Sequence, residues 1–422
     1  MLKKVINYDV VIIGAGPAGL AAAEAVDEAF SVLLIEREAR AGGILKQCIH
    51  DGFGLVRFKE KLSGPEYAER YIQMVLKKSN VKLETLTFVI KVEKVKDEYL
   101  ITTTSKQGIQ TYATKRLILA NGCRERTARQ VNIHGDRPAG VMTAGNAQNF
   151  VNLMGLMPTK KCVILGSGDI GLIMARRLKL EGADVLGVYE AKSTPSGLSR
   201  NIQQCLIDFD IPLHLSKTVT RVFGNRRVEG VEISSVDEKM NPIKGTEEYI
   251  ECDALVVSVG LIPENEIAEN LNISIDRRTR GPFVDQNMMT LTDGIYSVGN
   301  ALHVHDLVDY VSEVSETAGK NVGHERKREL VEVASKGCMY LVPQYIDVNS
   351  LKEKTTFFFR SNTDMLKAKV IVMVNGEEIY AKKYVALRPP EMEKISVPLK
   401  LEKDDKLEVL LSAETIDACP AE

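Results

Sequence analysis

Two stretches carry glycines at a spacing that suits nucleotide phosphates. In DVVIIGAGPAGLAAAEAVDEAFSVLLIERE, residues 9–38, Gly14, Gly16 and Gly19 spell G-x-G-x-x-G, and Glu36 ends the strand pattern that follows. In CVILGSGDIGLIMARRLKLEGADVLGVYE, residues 162–190, Gly166, Gly168 and Gly171 repeat the arrangement, and Glu190 stands where Glu36 did. The first glycine of such a set allows a tight strand-to-helix turn. The second lets backbone approach a pyrophosphate, and the third lets helix and strand pack closely. Phosphate oxygens then meet free N–H groups at the helix N-terminus, where the helix dipole favours negative charge. Pro17 and Ala18 open the first helix, and Asp169 and Ile170 the second. The carboxylate about 20 residues on suits a ribose hydroxyl. A lone G-x-G-x-x-G is weak evidence, but both copies have the strand before, the helix after and the acid beyond. The competing reading is a glycine-rich turn without a ligand.

Two dinucleotide sites in one chain suggest two electron carriers. A nicotinamide delivers a hydride and leaves, whereas a flavin stays bound and passes electrons on singly or in pairs. FAD is therefore expected at the first site and a nicotinamide at the second.

The elements that position these residues alternate β and α. Strands are expected at 9–13, 32–35, 81–95, 99–104 and 115–120, with helices at 16–26 and 65–78, the latter capped by Ser63. A second βαβ unit starts at residue 161. Strands follow at 219–223, 228–236 and 254–259, then GLIPENEIAENL as a loop and short helix, and a helix over 309–328. From about residue 335 the pattern is β-rich, with Asn375-Gly376 as a hairpin turn, which suggests a small β-sandwich-like domain of roughly 85 residues. The fold class is thus α/β: two Rossmann-like dinucleotide-binding domains, one inserted in the other, plus a C-terminal all-β domain. The expected boundaries are 1–123 with 261–330 for the FAD-binding domain, 124–260 for the NAD(P)-binding domain and 335–422 for the β domain.

Bulk properties exclude other classes. At 422 residues more than one core is needed, and 44% hydrophobic content argues against disorder. A formal charge of −2 gives no general attraction to nucleic acid or an anionic membrane. No apolar run approaches the ~20 residues of a membrane span. Lys3 and Lys4 could mimic a signal peptide, but the apolar run after them breaks at Gly14 and serves as the first strand. Seven cysteines are scattered without a C-x-x-C, which reads as reduced thiols in a cytoplasmic protein. No His/Cys cluster or H-E-x-x-H offers a metal site.

Further motifs give the chain a family resemblance. GAGPAGL, Ala120-Asn121-Gly122 and the segment TDGIYSVGN ending at Gly299-Asn300 resemble, in order, the FAD motif, the crossing point and the second FAD motif of the two-dinucleotide-binding flavoproteins, the fold of glutathione and thioredoxin reductases. The similarity covers residues 8 to about 325. Gly42-Gly43-Ile44-Leu45 and Leu62-Ser63-Gly64-Pro65 are more similar to thioredoxin reductases than to glutathione reductase. The pattern GGILKQCIHDGFGL, NGCRER, RPAGVMTAGNAQ, GLSRN resembles flavoprotein subunits found with glycerol-3-phosphate dehydrogenases, and the FAD/NAD subunits of opine, proline and cyanide-forming glycine dehydrogenases. The resemblance implies FAD contacts at Gly14, Gly16, Pro17, Ala18, Gly19, Glu36, Arg37, Gly43, Ile44, Ala120, Gly122, Gly299 and Asn300. It implies nicotinamide contacts at Gly166, Gly168, Asp169, Ile170, Gly171 and Glu190.

The departures shape the chemistry. Thioredoxin reductases carry C-A-T-C where residues 142–148 read MTAGNAQ, and Cys48 has no second cysteine at the glutathione-reductase spacing. Direct dithiol chemistry is not expected. Asn300 replaces the usual Asp, and an amide can still bond a ribityl hydroxyl or accept a backbone donor. NADPH-specific relatives place His-Arg-Arg after the second strand; here Glu190-Ala191-Lys192 favours NADH over NADPH, because a carboxylate accepts from a free 2′-hydroxyl and repels a phosphate.

In the resemblance, the loop carrying Cys48 and His50 passes near the flavin ring. A thiol there could form an adduct and an imidazole could move a proton, or both could simply line the pocket. His303 and His305 follow the second FAD motif, so His305 is a proton-transfer candidate or a loop histidine. Arg124, Glu125 and Arg126 read as a salt-bridge cluster or a substrate clamp. Cys123 is expected to pack at the crossing point, and Cys162, Cys205 and Cys252 in cores. The expected function is an FAD-dependent NAD(P)H oxidoreductase that passes electrons between NADH and a partner dehydrogenase subunit or electron carrier. The alternatives are a self-contained NADH oxidase or diaphorase, and a non-catalytic FAD/NAD scaffold or redox sensor. The C-terminal β domain is the expected docking module for a partner or another copy.

Overall fold

The computed structural model describes residues 5–324 and 327–413. They form two compact units. One comprises the described residues up to Lys46, His50–Cys123 and those from Pro263 on; the other comprises Gln47–Ile49 and Arg124–Ile262.

The first unit is built on a five-stranded parallel sheet in the order Ile295–Ser297, Arg116–Leu119, Val10–Ile13, Val32–Ile35, Val81–Glu84. Its strands Val10–Ile13 and Val32–Ile35 read as unbroken apolar runs because both faces are covered. Val10, Ile12, Val32, Leu34 and Ile118 point to one core, shared with the helices Pro17–Ala25, Gly64–Leu76 and Val308–Asn321. Val11, Ile13, Leu33, Ile35, Leu117 and Leu119 point to the other, under an antiparallel meander of Phe88–Val95, Glu98–Ser105 and Gly108–Thr114. Ser63 caps its helix as expected, in a reciprocal capping box with Glu66.

The second unit repeats this plan. Its parallel sheet runs Val141–Thr143, Ala254–Val257, Lys161–Leu165, Asp184–Glu190, Leu213–Leu215. Cys162, Ile164, Ala254 and Val256 face the helices Ala144–Asn152, Asp169–Leu180 and Ser199–Cys205. Val163, Leu165, Leu255 and Val257 face a sheet made by His134–Gly135, Lys217–Phe223, Gly230–Ser235 and Glu248–Glu251. Cys162, Cys205 and Cys252 are buried here.

The C-terminal module is a sandwich of a five-stranded sheet, in the order Tyr345–Asp347, Leu330–Lys336, Leu407–Ala413, Met365–Val374, Glu377–Leu387, and a three-stranded sheet, Cys338–Val342, Thr355–Ser361, Glu393–Val397. Asn375 and Gly376 both have positive φ, 53° and 87°, and close the expected hairpin. Phe357, Phe359 and Leu341 fill the space between the sheets. Tyr340, Val342 and Phe358 alternate to the opposite face and join the first unit's helical core with Met392. The module is therefore packed into the first unit, and its last nine residues, 414–422, lie outside the described residues.

Two expected elements differ. The strand over 81–95 is two strands in two sheets, Val81–Glu84 and Phe88–Val95, separated by Leu86 at φ 51°. The helix over 309–328 runs Val308–Asn321; residues 325 and 326 lie outside the described residues, and Arg328 is an anchor beyond the helix, bonded to Asp293, Asp285 and Thr290 O.

Candidate functional site

Strand Val10–Ile13 delivers the chain into the first glycine turn. Gly14 has φ +102°, and a Cβ there would lie 2.4 Å from Ala120 O; one on Gly19 would lie 1.7 Å from Gly14 O. These two glycines are demanded by the protein's own packing. A Cβ on Gly16 would meet nothing nearer than 3.9 Å, so no protein atom fills the space beside the middle glycine. Gly16 is also the N-cap of helix Pro17–Ala25 and supplies no side-chain acceptor to its first N–H groups. Glu36, 7% exposed, lies against the turn: Oε2 accepts from Ala15 N–H at 2.9 Å and Oε1 from Glu38 N–H at 2.9 Å. Gly42 N–H donates to Ala15 O, and Gly43 comes so close to Gly16 that a Cβ on it would be 2.9 Å from Gly16 Cα. Gly299 approaches Ala18 equally closely, 2.7 Å for its Cβ. Arg37 and Ile44 are exposed.

The second turn has the same logic with different atoms. A Cβ on Gly166 would lie 2.0 Å from Ser258 O, and one on Gly171 2.5 Å from Gly166 O, whereas Gly168 has nothing within 4 Å. Glu190, 7% exposed, accepts Ser167 N–H at 3.1 Å, the counterpart of the Ala15–Glu36 bond. It also accepts the hydroxyls of Ser167 at 2.5 Å and Ser196 at 3.2 Å. The Asp169 carboxylate faces the loop that follows Glu190, accepting from Leu198 N–H at 2.9 Å and Asn201 Nδ2 at 2.7 Å. Ser167 and Ser196 escaped the sequence reading because a serine in such a loop carries no signal beyond its turn propensity.

Around Asn300 the expected roles are redistributed. Its Oδ1 accepts His305 N–H at 3.1 Å, and its Nδ2 donates to Cys123 Sγ at 3.5 Å. Asn300 is thus the acceptor of a backbone donor, one of the two uses open to an amide there. Gly122 O accepts Glu264 N–H. His305 is not on an exposed loop. It stacks on His303 at 3.9 Å between ring centres, and both rings pack against Phe358 of the C-terminal module. None of the four ring nitrogens has a hydrogen-bond partner among the described residues. Burial holds His303 well below its usual pKa and brings His305 down to about 3, so both are neutral at physiological pH.

Cys48 belongs to the second unit and His50 to the first. The Cys48 thiol lies 3.8 Å from Gln148 Oε1, and burial pushes its pKa up to about 11, an environment that opposes the thiolate. His50 packs on Phe53, 5.0 Å between ring centres. The polar centre of this segment is Gln47, which bonds Gly145 O, Gln148 and Asn149 and so fixes helix Ala144–Asn152. Both carboxylate oxygens of Glu125 accept Gly145 N–H at 2.9 Å, at the N-terminus of that helix. A second network was missed altogether. Along helix Val308–Asn321 the buried Ser312 bonds Tyr67, and Glu316 bonds Tyr71 and Arg57. Polar positions at helical spacing among apolar ones were the available signal.

Among the described residues no group of three or more His, Cys, Asp or Glu side chains is placed to hold a metal ion, and no helix is long and apolar enough to cross a membrane.

Paired parallel-sheet units with open-centred glycine turns define the class of two-nucleotide oxidoreductases. Residues 8–336 match the pyridine nucleotide-disulphide oxidoreductase family, and the chain belongs to it: it is an FAD/NAD(P)-dependent oxidoreductase. It is similar to dihydrolipoyl dehydrogenase of Mycoplasma genitalium, 24% identical over 400 residues, covering 86% of this chain and 83% of that protein. It is also similar to hydrogen cyanide synthase subunit HcnB of Pseudomonas protegens (25% identical, 70% of this chain, 64% of the relative) and to an opine oxidase subunit of Agrobacterium tumefaciens (24%, 69% and 61%). In fold it is similar to T. acidophilum thioredoxin reductase, with a TM-score of 0.60 at 22% identity over 75% of this chain and 97% of that one. L-proline dehydrogenase from P. horikoshii matches with a TM-score of 0.56 at 21% identity over 77% and 57%.

Proposed function

We propose that this chain is an NADH-dependent flavoprotein subunit that passes electrons between NADH and a partner dehydrogenase or electron carrier, without a dithiol. The observation that carries the reading is the repeated turn: in both units the outer glycines are locked by packing, the middle glycine is open, and a buried carboxylate accepts the N–H of the residue between them. That is a cradle for a phosphate beside an acceptor for ribose, and the residues fit FAD and a nicotinamide. Gly14, Gly16, Pro17, Ala18, Gly19, Glu36, Gly43, Ala120, Gly122, Gly299 and Asn300 would hold FAD, with Arg37 and Ile44 at its edge. Gly166, Gly168, Asp169, Ile170, Gly171 and Glu190 would hold the nicotinamide dinucleotide. Bound FAD would take up a hydride and release electrons singly or in pairs.

In this reading the chain's own residues bind and orient. Glu36 and Glu190 accept from ribose hydroxyls while fixing the turn backbones. Glu190 repels a 2′-phosphate, which is the basis for NADH over NADPH. Cys48 is held as a thiol and His305 as a neutral imidazole, so neither is given a step. The onward acceptor is assigned to a partner because no second reactive constellation accompanies the turns among the described residues. The names of the HcnB and opine oxidase relatives mark them as subunits, which supports a subunit role, and the resemblance to flavoprotein subunits of glycerol-3-phosphate dehydrogenases belongs to the same proposal. A cytoplasmic setting fits the reduced thiols it calls for. The test is to purify the protein with FAD and measure NADH oxidation with an artificial dye. Turnover with dye but not with oxygen alone supports an electron-passing subunit, oxygen consumption alone would support a self-contained oxidase, and no turnover with either would leave a scaffold.

A further inference from the structure

The carboxylates of the two glycine turns share two bonds and differ in two others. Glu36 Oε2 accepts Ala15 N–H and Oε1 accepts Glu38 N–H, each at 2.9 Å. Glu190 repeats both: Oε2 accepts Ser167 N–H and Oε1 accepts Lys192 N–H, each at 3.1 Å. Among the described residues Glu36 takes no further donor. Glu190 Oε2 takes two more, the hydroxyls of Ser167 at 2.5 Å and Ser196 at 3.2 Å. A carboxylate oxygen offers about two lone-pair sites. Each oxygen of Glu36 therefore keeps an acceptor place open, whereas Glu190 Oε2 has three donors for two places.

This crowding is built into the sequence. Where the first turn has Ala15, the second has Ser167, which supplies one hydroxyl and holds Ser196 nearby by accepting its N–H at 2.9 Å. The segment after Glu190 is fastened again at Asp169, whose Oδ1 accepts from Leu198 N–H and Asn201 Nδ2. Gly197 lets the segment come that near: a Cβ there would lie 2.6 Å from Leu172 Cδ1 and 2.8 Å from Ser167 O. In the first unit the corresponding segment reaches its turn through backbone, with Gly42 N–H on Ala15 O and Gly43 beside Gly16, and brings no hydroxyl to Glu36. Of the three donors on Glu190 Oε2, the Ser196 hydroxyl makes the longest bond. It sits on a rotatable single bond and can turn away without any backbone movement.

The ribose of a dinucleotide carries two adjacent hydroxyls, both able to donate. Glu36 can accept such a pair as it stands, but Glu190 must first give up a protein donor. A flavin stays bound through turnover, whereas a nicotinamide leaves after each one. The difference in open acceptor places runs in the same direction as that difference in residence. We propose that Ser196 sets the affinity of the second site: on the reading of that site as the nicotinamide site, its hydroxyl competes with the ribose for Glu190 Oε2 and keeps the dinucleotide exchangeable. Without the hydroxyl, the ribose displaces only water. Glu36 has no such competitor, so flavin retention is independent of Ser196.

The full-length, FAD-loaded wild type, Ser196→Ala and Ser196→Thr proteins are titrated with NAD⁺ and with ADP-ribose by calorimetry, which reads binding without turnover. Ser196→Ala should bind both probes more tightly than wild type by about threefold or more, with unchanged flavin content. Ser196→Thr keeps a hydroxyl and should stay near wild type. Equal or weaker binding by Ser196→Ala overturns the proposal. Equal tightening by Ser196→Thr overturns it too, because the effect then comes from a loosened segment and not from the hydroxyl. If neither probe binds wild type or Ser196→Ala while both proteins are folded and yellow, the nicotinamide reading of the turn falls together with the proposal. Binding of the same strength in all three proteins overturns the competition alone and leaves that reading standing.

Discussion

Gly16 and Gly168 have space that the protein itself does not use, and their neighbours do not. A methyl group at Gly16 meets no protein atom within 3.9 Å, while one at Gly14 would lie 2.4 Å from Ala120 O at φ +102°. Gly16→Val is therefore expected to fold with a melting temperature within a few degrees of wild type but to purify without yellow colour and fail to take up FAD. Gly14→Ala is expected to lose about 2–3 kcal/mol or more of stability from steric overlap and positive φ. Flavin absorbance and urea melts of the two variants check this, and equal flavin content in Gly16→Val and wild type would count against a phosphate at that turn. At Glu190 we expect wild-type kcat/KM to favour NADH over NADPH at least tenfold, ~1.4 kcal/mol. Glu190→Arg should shift that ratio toward NADPH, even though removing an acceptor for Ser167 and Ser196 also lowers total activity. Equal use of both nucleotides by the wild type would show the carboxylate is not the discriminator. The glycines and acids were legible in the sequence because strand, turn, helix and acid are local. Gln47 and Glu125 were not, because Gly145, which both bond, lies 98 and 20 residues away from them.

Among the elements, the pattern of apolar runs identified the central strands of both parallel sheets, since a strand buried on both faces has no polar alternation to confuse with a surface strand, but not the edge strands Val141–Thr143 and Leu213–Leu215. It failed at 81–95, where apolar and polar residues continue to alternate through a change of sheet, and only the left-handed backbone at Leu86 marks the corner. The segment after Gly299 read as a loop with histidines and is one, but the pattern did not show that the loop is buried, in an aromatic stack of His303, His305, Tyr340 and Phe358. That stack predicts an acid sensitivity. Both imidazoles have folded pKa values below the ordinary 6.5, chiefly from burial, with repulsion from His305 added at His303 and from Arg360 at both. The unfolded chain therefore binds more protons, and the stability the neutral rings contribute is full above about pH 6.5 and falls as pH drops toward 3. For His305 the loss between pH 7 and pH 5 is about 2 kcal/mol. Urea midpoints of wild type should fall over that interval, and those of His305→Phe should fall less by about that amount; parallel falls would assign the sensitivity elsewhere.

At the scale of the molecule, the C-terminal β-rich segment was visible from its alternation and its Asn-Gly turn. What that alternation cannot show is what the second face of a sheet packs on. Tyr340, Val342, Phe358 and Met392 complete the helical core of the first unit. Removing everything after Arg328 would expose that core, at a cost of order 6–12 kcal/mol for four large side chains, comparable with the whole stability of a domain. Such a truncation is expected to be insoluble or free of FAD by absorbance, so point changes, not truncation, are the means to probe association. A soluble, yellow truncated protein would show the module to be dispensable. The interrupted first unit has a further consequence, for how the chain is made. Arg116–Leu119 must wait for Ile295–Ser297 to become its neighbour. At ribosomal speed that is a delay on the order of 10–40 s. During it the second unit emerges whole and can fold, while one edge of the first sheet stands bare. The nascent chain therefore matures from the inside outward, and its most exposed interval is the synthesis of the inserted unit.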